Sequence, residues 1–440
     1  MPSGEGRPML ILPLISPRLE LRDFREDDLS GYQALRASAA FGRHYRRDEV
    51  SPAFSAMLLR RFIEQQGAPR RNWQLAIIRR DDGELIGSVG LRDGAAAGVA
   101  SFGLELAESS WGQGLAREAG RLLLDAGFNQ LGLRRIEADT AEGNLPARRL
   151  AASLGFVEGP ARDGRATLAL SLAMPGAESD WRLEGGVLNR LDGCWRVLTP
   201  GQPGYYFGNV LWLDHAPAEQ ARADWERRFD AAFADAAGVR HRTLLWTLDE
   251  AGGASRYAEW TGAGYRYEEN VVLLLNEAEL RPVPASAGLA LRPLAGEGDW
   301  RQWRQLMADT RAAGHDEADY RAYLQGRERR FLALEAAGQG YVWGVFDGQA
   351  LLGSAGLFLL PGMARFQHVV TAPHVRRLGL ASQLISHLAQ WGLQRTSRLL
   401  IVADAHYHAL DLYRKLGFVE AAREASLCWW PALDPIDQQC

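Results

Sequence analysis

Lysine is almost absent from this chain: Lys415 is the single one, so arginine supplies nearly all of the 50 basic residues among 440. That bias reads as codon usage in a GC-rich genome rather than as a functional choice. No excess of positive charge exists either. The formal net charge is -4, which excludes a global field favouring nucleic acid or an anionic membrane. Short basic pairs such as Arg60-Arg61 and Arg70-Arg71 are interrupted by apolar and acidic neighbours and read as solvated helix faces. Cysteine is scarce, with Cys194, Cys428 and Cys440 far apart and without paired metal-ligand spacing. A disulfide framework is excluded, a reduced cytosolic compartment is expected, and no metal site is. No apolar run approaches the length of a membrane span. The opening "MPSGEGRPMLILPLISP" is broken by prolines and makes a poor signal peptide, so the expected location is cytoplasmic. A Gly-Lys-Ser/Thr phosphate loop is missing as well.

What is present is an ordinary globular composition, 47% hydrophobic and 24% charged, at a length that calls for two to three domains. It also contains an internal echo. "LELR" at 19–22 returns as "LALR" at 289–292, "WGQGLA" at 111–116 as "RRLGLA" at 376–381, and "SLGFVE" at 153–158 as "KLGFVE" at 415–420. Three matches in one order at nearly constant offset indicate duplication of a domain of roughly 150 residues. Within each copy the same pattern follows. An opening strand leads to a polar helical segment, then to a hairpin around Asp81-Asp82-Gly83 or Asp347-Gly348. A further strand, "ASFGLEL" or "ARFQHVVT", leads into the glycine turn. Beyond it, Leu115, Ala119, Leu122, Leu123 and Ala126 form one helical stripe, and Leu380, Leu384, Leu388 and Trp391 form its counterpart. Another strand then precedes a short helix ending at Leu-Gly-Phe. The expected fold class is α/β, each copy a mixed unit around one central sheet.

Between the copies, residues 177–285 are too many and too aromatic for a linker. Strands are expected in 204–214 and 241–249 around a helix at 217–237, and "GAGYRYEENVVLLLN" at 262–276 repeats the ending of the other copies. The region reads as a third, eroded copy without the glycine turn, or alternatively as an unrelated β-rich insert. The domains expected are therefore 1–176, 177–285 and 286–440, with "RPVPASAG" at 281–288 the clearest linker.

A strand feeding a helix through small residues leaves backbone N–H groups pointing outward at the positive end of the helix dipole, which suits a phosphate without any lysine. Gly114 and Gly379 allow close approach, Ala116 and Ala381 keep the first turn uncluttered, and Arg376 adds charge. Tight strand–helix packing would also explain one such turn; a duplicated strand–turn–helix set favours a phosphate-bearing ligand. The dinucleotide pattern fails, because "GQGLAR" ends in Arg117 where a third glycine belongs.

The ordered set "RRLGLA" then "DAHYHALDLYRKLGF", and "WGQGLAREA" then "GNLPARRLAASLGF", resembles the GNAT superfamily of N-acetyltransferases. The first copy is most similar to the branch holding the ribosomal-protein N-terminal acetylases. The resemblance covers about two-thirds of the chain and implies tandem GNAT folds, each a mixed, mostly antiparallel twisted sheet flanked by helices, with a degenerate middle. It implies acetyl-coenzyme A as cofactor and a small-molecule amine or a peptide N-terminus as acceptor, attacking the thioester directly in a ternary complex, in a monomer or homodimer. The cofactor residues it implies are Val370, Thr371, Arg376, Arg377, Leu378, Gly379, Leu380, Ala381, Ser382 and His406 in the second copy. In the first they are Leu106, Trp111, Gly112, Gln113, Gly114, Leu115, Ala116 and Asn144. Leu106 and Val370 mark the strand amides expected to stabilise the oxyanion.

Tyr413, four before Gly417, occupies the family's general-acid position. The family base is not at its usual strand positions, which hold Arg365 and Gln367. His368 is out of phase by one, so either a bulge re-aims it, or water or another loop takes the proton. In the first copy Ala151 replaces the tyrosine and Ala147 a serine, while Glu105 is the candidate base. The second copy is expected to be the more complete site.

Overall fold

The computed structural model describes residues 9–431 except 39, 45, 68, 95, 97, 173–174, 249–252 and 312–316. The start of the chain and Cys440 therefore lie outside the described residues. The chain divides into two compact units, one of residues 1–172 with 188–193, the other of 173–187 with 194–440. Among the described residues no helix is long and apolar enough to cross a membrane.

In the first unit eight strands run in the order Leu14–Ile15, Leu19–Asp23, Asn72–Arg79, Leu85–Asp93, Val99–Leu106, Arg135–Ala141, Arg165–Ser171 and Val157–Glu158. All neighbours are antiparallel except one. Val99–Leu106 runs parallel to Arg135–Ala141 and pairs with it only from Val99 to Ser101, so the two strands splay apart from Phe102 onward. Helices Leu29–Arg36 and Pro52–Glu64 pack Tyr32, Leu59 and Phe62 onto Ala76 and Ile78. Helix Leu115–Asn129 buries Leu115, Ala119, Leu123 and Ala126 of the expected stripe, but Leu122 is only half-buried and Leu124 is buried instead.

The second copy repeats this plan. Strands Leu289–Pro293, Gly340–Asp347, Ala350–Leu360 and Met363–Thr371 are antiparallel in that order, and the last runs parallel to Arg398–Asp404. Their parallel pairing is again brief, Ala364–Leu399 and Arg365–Leu400, so the strand is splayed beyond Phe366. Even a local device recurs: Arg22 pairs with Asp28, whose carboxylate accepts the Arg25 N–H, and Arg292 pairs with Asp299, which accepts the Ala295 N–H. In each case a carboxylate fixes the turn into the first helix.

The region before the second copy does not close on itself. Its strand Arg266–Asn276 pairs antiparallel with Arg398–Asp404 of the second copy. The second copy's final strand, Val419–Trp429, in turn pairs with Arg242–Thr247. The two exchanged strands pair with each other, so one sheet continues through to Val210–Leu213 and Cys194–Leu198. Three helix ends share one backbone turn. Phe156 N–H reaches Ala151 O at 3.0 Å, Tyr265 N–H reaches Trp260 O at 3.0 Å, and Phe418 N–H reaches Tyr413 O at 3.1 Å. Before each aromatic residue stands a glycine at positive φ, Gly155 at 90°, Gly264 at 89° and Gly417 at 104°.

Candidate functional site

The two glycine turns have one backbone. Gly112 and Gly114 lie at φ 72° and 75°, and the matching Arg377 and Gly379 at 66° and 78°. Arg377 thus holds a left-handed conformation that disfavours side chains, at a cost of about 1–2 kcal/mol. Helices Leu115–Asn129 and Leu380–Leu393 begin at Gly114 and Gly379, and no side chain caps either one. In the second helix the Gln383 N–H is bonded back to Gly379 O at 3.1 Å. The amides ahead of it have no intrahelical acceptor. A Cβ at Gly112 would meet nothing within 4 Å. These cradles fit a pyrophosphate: exposed backbone donors, the positive helix end, and open space over the turn.

Around the cradles the copies differ. Arg376, Arg377 and Leu378 are exposed, and Arg376 Nε reaches the Thr371 carbonyl at 3.4 Å. Ala381 and Ser382 are half-buried on the helix's first turn, behind buried Leu380. In the first copy the Trp111 indole N–H donates to Leu106 O at 2.8 Å. Arg18, which local sequence reading passed over because it lies 95 residues away, donates to Gln113 O at 3.0 Å and pairs with Glu118. Burial pushes the Glu118 carboxyl up, but hydrogen bonds from Ser16 and Arg18 outweigh it and hold the pKa below its ordinary value.

The strand before each cradle differs more. Val99–Leu106 pairs with its hairpin neighbour in unbroken register from Gly87–Leu106 to Asp93–Ala100. Met363–Thr371 does not: Gly356 opposes Gln367 and Ser354 opposes Val370, so His368 and Val369 together face Ala355. This is a β-bulge, with His368 at φ 49°. The bulge resolves the phase mismatch at His368 and leaves an amide out of the ladder next to Val370.

His368 meets the rings of Trp303, Tyr323 and Phe331 at 6.3, 6.3 and 5.7 Å, and its Nε2 accepts from Arg327 Nε at 3.2 Å. Burial, reinforced by the Arg327 and Arg365 charges, pushes its pKa down to about 3. The ring is therefore neutral near pH 7, with one nitrogen engaged. Glu105 is engaged too: it pairs with buried Arg36 and accepts from the Tyr32 hydroxyl at 3.1 Å and the Ser88 hydroxyl at 3.2 Å. Arg365 and Gln367 hold Asp180, at 2.9 Å each.

Tyr413 is buried on helix Ala409–Leu416 with its ring 6.0 Å from Phe418, and burial raises its pKa, so it stays protonated. His406 is exposed, its N–H bonded to the Asp404 carboxylate at 2.7 Å. Asn144 caps helix Leu145–Ser153 through the Ala147 N–H at 3.3 Å and donates to Thr140 at 3.1 Å. Its side chain is thus committed to the helix start.

Residues 18–157 match the family described as "Acetyltransferase (GNAT) domain", and residues 300–418 match "Acetyltransferase (GNAT) family". The chain is similar to an uncharacterized N-acetyltransferase, p20, of Bacillus licheniformis, 35% identical over 117 residues that make up 26% of this chain and 64% of that protein. The match therefore spans less than two thirds of that relative. A second similar protein is the uncharacterized N-acetyltransferase YoaA of Bacillus subtilis strain 168, 28% identical over 144 residues, 32% of this chain and 81% of that one. Among solved structures, RimJ of Mycobacterium smegmatis in complex with CoA-disulfide is 23% identical, covering 38% of this chain and 89% of that one with a TM-score of 0.32. Two family matches, each spanning a splayed strand, a glycine turn and the helix after it, place the chain in the GNAT acetyltransferase family.

Proposed function

We propose that the chain is an acetyl-CoA-dependent N-acetyltransferase acting on a primary amine, with its working site in the C-terminal copy. The observation that carries this reading is the bulge at His368 and Val369, present in that copy and absent from the other. It supplies a backbone amide outside the ladder, beside Val370, as a donor for developing negative charge. Acetyl-CoA supplies an acyl group activated as a thioester. The Arg376–Gly379 turn and the first amides of helix Leu380–Leu393 hold the pyrophosphate. The splayed edge from Phe366 to Thr371 offers backbone groups to the pantetheine arm. The amine lone pair attacks the carbonyl carbon, the carbon–sulfur bond breaks, and the Tyr413 O–H protonates the departing sulfur. With Nε2 of His368 facing Arg327, the ring serves as a fixed neutral N–H donor, and the amine proton leaves through water.

The first copy retains a cradle but has Ala151 at the tyrosine position and a Glu105 committed to Arg36. Residues 177–285 read as a third copy with no cradle among the described residues, supported by the shared turn at Gly264 and Tyr265. Thiol release from acetyl-CoA with a panel of amines tests the reading. Tyr413→Phe is expected to lower kcat by about 10²–10⁴ while the affinity for CoA holds. Equal turnover by the Phe variant would remove Tyr413 from the chemistry.

A further inference from the structure

On the side of the splayed strand that carries His368, the second copy is faced by residues that precede it in the chain. Helix Pro175–Glu184 is anchored there at both ends. Its first amides, Gly176 at 2.8 Å and Ala177 at 3.4 Å, donate to the buried Glu424 carboxylate of the final strand. Arg365 of the splayed strand donates to Gly176 O at 2.7 Å and pairs with Asp180. At the far end, Arg330 donates to Leu183 O at 2.8 Å, and Glu184 pairs with Arg327, both side chains sealed from solvent. Arg327 in turn holds His368. So many fixed bonds make the helix a wall, not a loose cover.

Next to that wall stands a row of rings. Tyr205, just before the short helix Tyr206–Gly208, lies 5.9 Å from Tyr323, which lies 5.8 Å from Tyr320 and 6.3 Å from His368. These rings are half-buried. The hydroxyls of Tyr205 and Tyr323 make no hydrogen bond among the described residues, and the indole N–H of buried Trp303, on another side of His368, has no acceptor. A buried indole N–H without an acceptor and two half-buried hydroxyls without a protein partner among the described residues, all around one imidazole beside the strand bulge, are groups that an incoming ligand would complete.

We propose that Asp180 and Tyr205, together with Tyr320, Tyr323 and His368, form the acceptor pocket of the C-terminal copy, and that it takes a small primary amine carrying a flat ring. The proposal rests on the acetyltransferase reading above and goes further by assigning the acceptor class. Among the described residues charge is not the selector: Arg327 is paired with Glu184 and Arg365 with Asp180, so none of these four awaits a counter-charge from the ligand. A row of tyrosine rings, by contrast, favours a flat partner packed offset or edge-on. An extended peptide has no room along the strand, because Arg365 and Gln367 are already bonded to helix Pro175–Glu184. The amine of such a ligand would reach the bulge beside His368, and the tyrosine hydroxyls would meet its polar edge.

The experiment uses the full chain, acetyl-CoA, and 2-phenylethylamine, tryptamine, putrescine and an Ala-Gly-Gly tripeptide as acceptors, with CoA binding followed separately by calorimetry. The ring amines are expected to exceed the other two by at least about 10-fold in kcat/KM, a difference of about 1.4 kcal/mol. Tyr205→Ala and Tyr323→Ala are each expected to raise the amine KM roughly 5- to 20-fold and leave the acetyl-CoA KM alone. Tyr323→Phe, which keeps the ring and the packing, is expected to recover most of that loss. Preference for putrescine or the tripeptide, or an amine KM indifferent to both alanine variants, overturns the pocket. CoA binding without turnover of any of the four amines also overturns it while sparing the cradle. Failure to bind CoA at all instead overturns the acetyltransferase reading on which the pocket rests.

Discussion

The N-terminal and C-terminal copies share a hairpin written "GSVG" and "GSAG", and what stands opposite its serine separates them. Ser88 faces Glu105 and donates to it at 3.2 Å, whereas Ser354 faces Val370 and its buried hydroxyl has no partner among the described residues. In the first copy a carboxylate at the end of the splayed strand has been drawn into an internal network with Arg36 and Tyr32, and the ladder is regular. In the second the carboxylate is gone, the ladder bulges, and an imidazole enters where regular alternation would have turned it away. One scaffold therefore turns the same strand either into a structural tie or into a bulged edge, the edge proposed above to meet the oxyanion. The lesson is that the cradle and the strand beside it vary separately: matched positions of the two turns agree to within 6° in φ (72° against 66°, 75° against 78°), while the residues one strand away do not agree at all.

The sharpest way to break this contrast is at Arg36. Its guanidinium is 2% exposed and ion-paired with Glu105, so Arg36→Ala leaves a carboxylate without its partner in a half-buried site. Loss of about 3–5 kcal/mol in the first unit is expected, seen as an early transition in denaturant unfolding, with amine acetylation intact in the conditions where both units remain folded. If acetylation falls in proportion to Glu105 disruption instead, the first copy is catalytic and the contrast is misassigned.

A second test uses pH. Burial pushes the Glu424 carboxyl from its ordinary 4.5 up to about 7, against the opposing pull of Gly176, Ala177 and Arg365. The folded state therefore favours the protonated form. The stability this contributes is complete below pH 4.5, declines as pH rises, and is gone above about 7. Glu424→Gln is expected to gain on the wild type by up to about 1.4 kcal/mol per pH unit across that interval, measured as the difference in denaturant unfolding of the second unit. A constant difference from pH 5 to 8 would mean that the carboxylate is ionised throughout.

The smallest effect concerns the paired serines. Ser88→Ala removes a hydrogen bond and is expected to destabilise by about 1 kcal/mol, while Ser354→Ala removes a buried hydroxyl without a partner and is expected to be neutral or mildly stabilising. Equal losses at both positions would show that Ser354 has found a partner in solution.

Much of this was legible in the sequence, for physical reasons. Period-2 and period-3.6 patterns recur locally, and a turn that needs positive φ shows itself as glycine, so the hairpins, the glycine turns before the helices and the Leu-Gly-Phe endings are legible in the sequence. Arg377, left-handed without being glycine, gave no such sign. The exchanged strands were invisible, because the pairing of Arg266–Asn276 with Arg398–Asp404, and of Val419–Trp429 with Arg242–Thr247, joins segments far apart in the chain and no local pattern encodes it. Helix Pro175–Glu184 reaches Arg365 and Gln367 across 186 to 189 residues, a pairing no local rule anticipates. His368 lay between these cases: its wrong phase signalled a bulge, but its Arg327 partner came only with the fold.

The most direct measurement is amine-dependent thiol release from acetyl-CoA by two proteins, Gly379→Val and Gly114→Val. Each substitution puts a β-branched side chain at a left-handed position, φ 78° and 75°, and fills one cradle only. The expected result is abolition of turnover by Gly379→Val and near wild-type turnover by Gly114→Val. Turnover that survives Gly379→Val and disappears in Gly114→Val would contradict the assignment of the working site to the C-terminal copy.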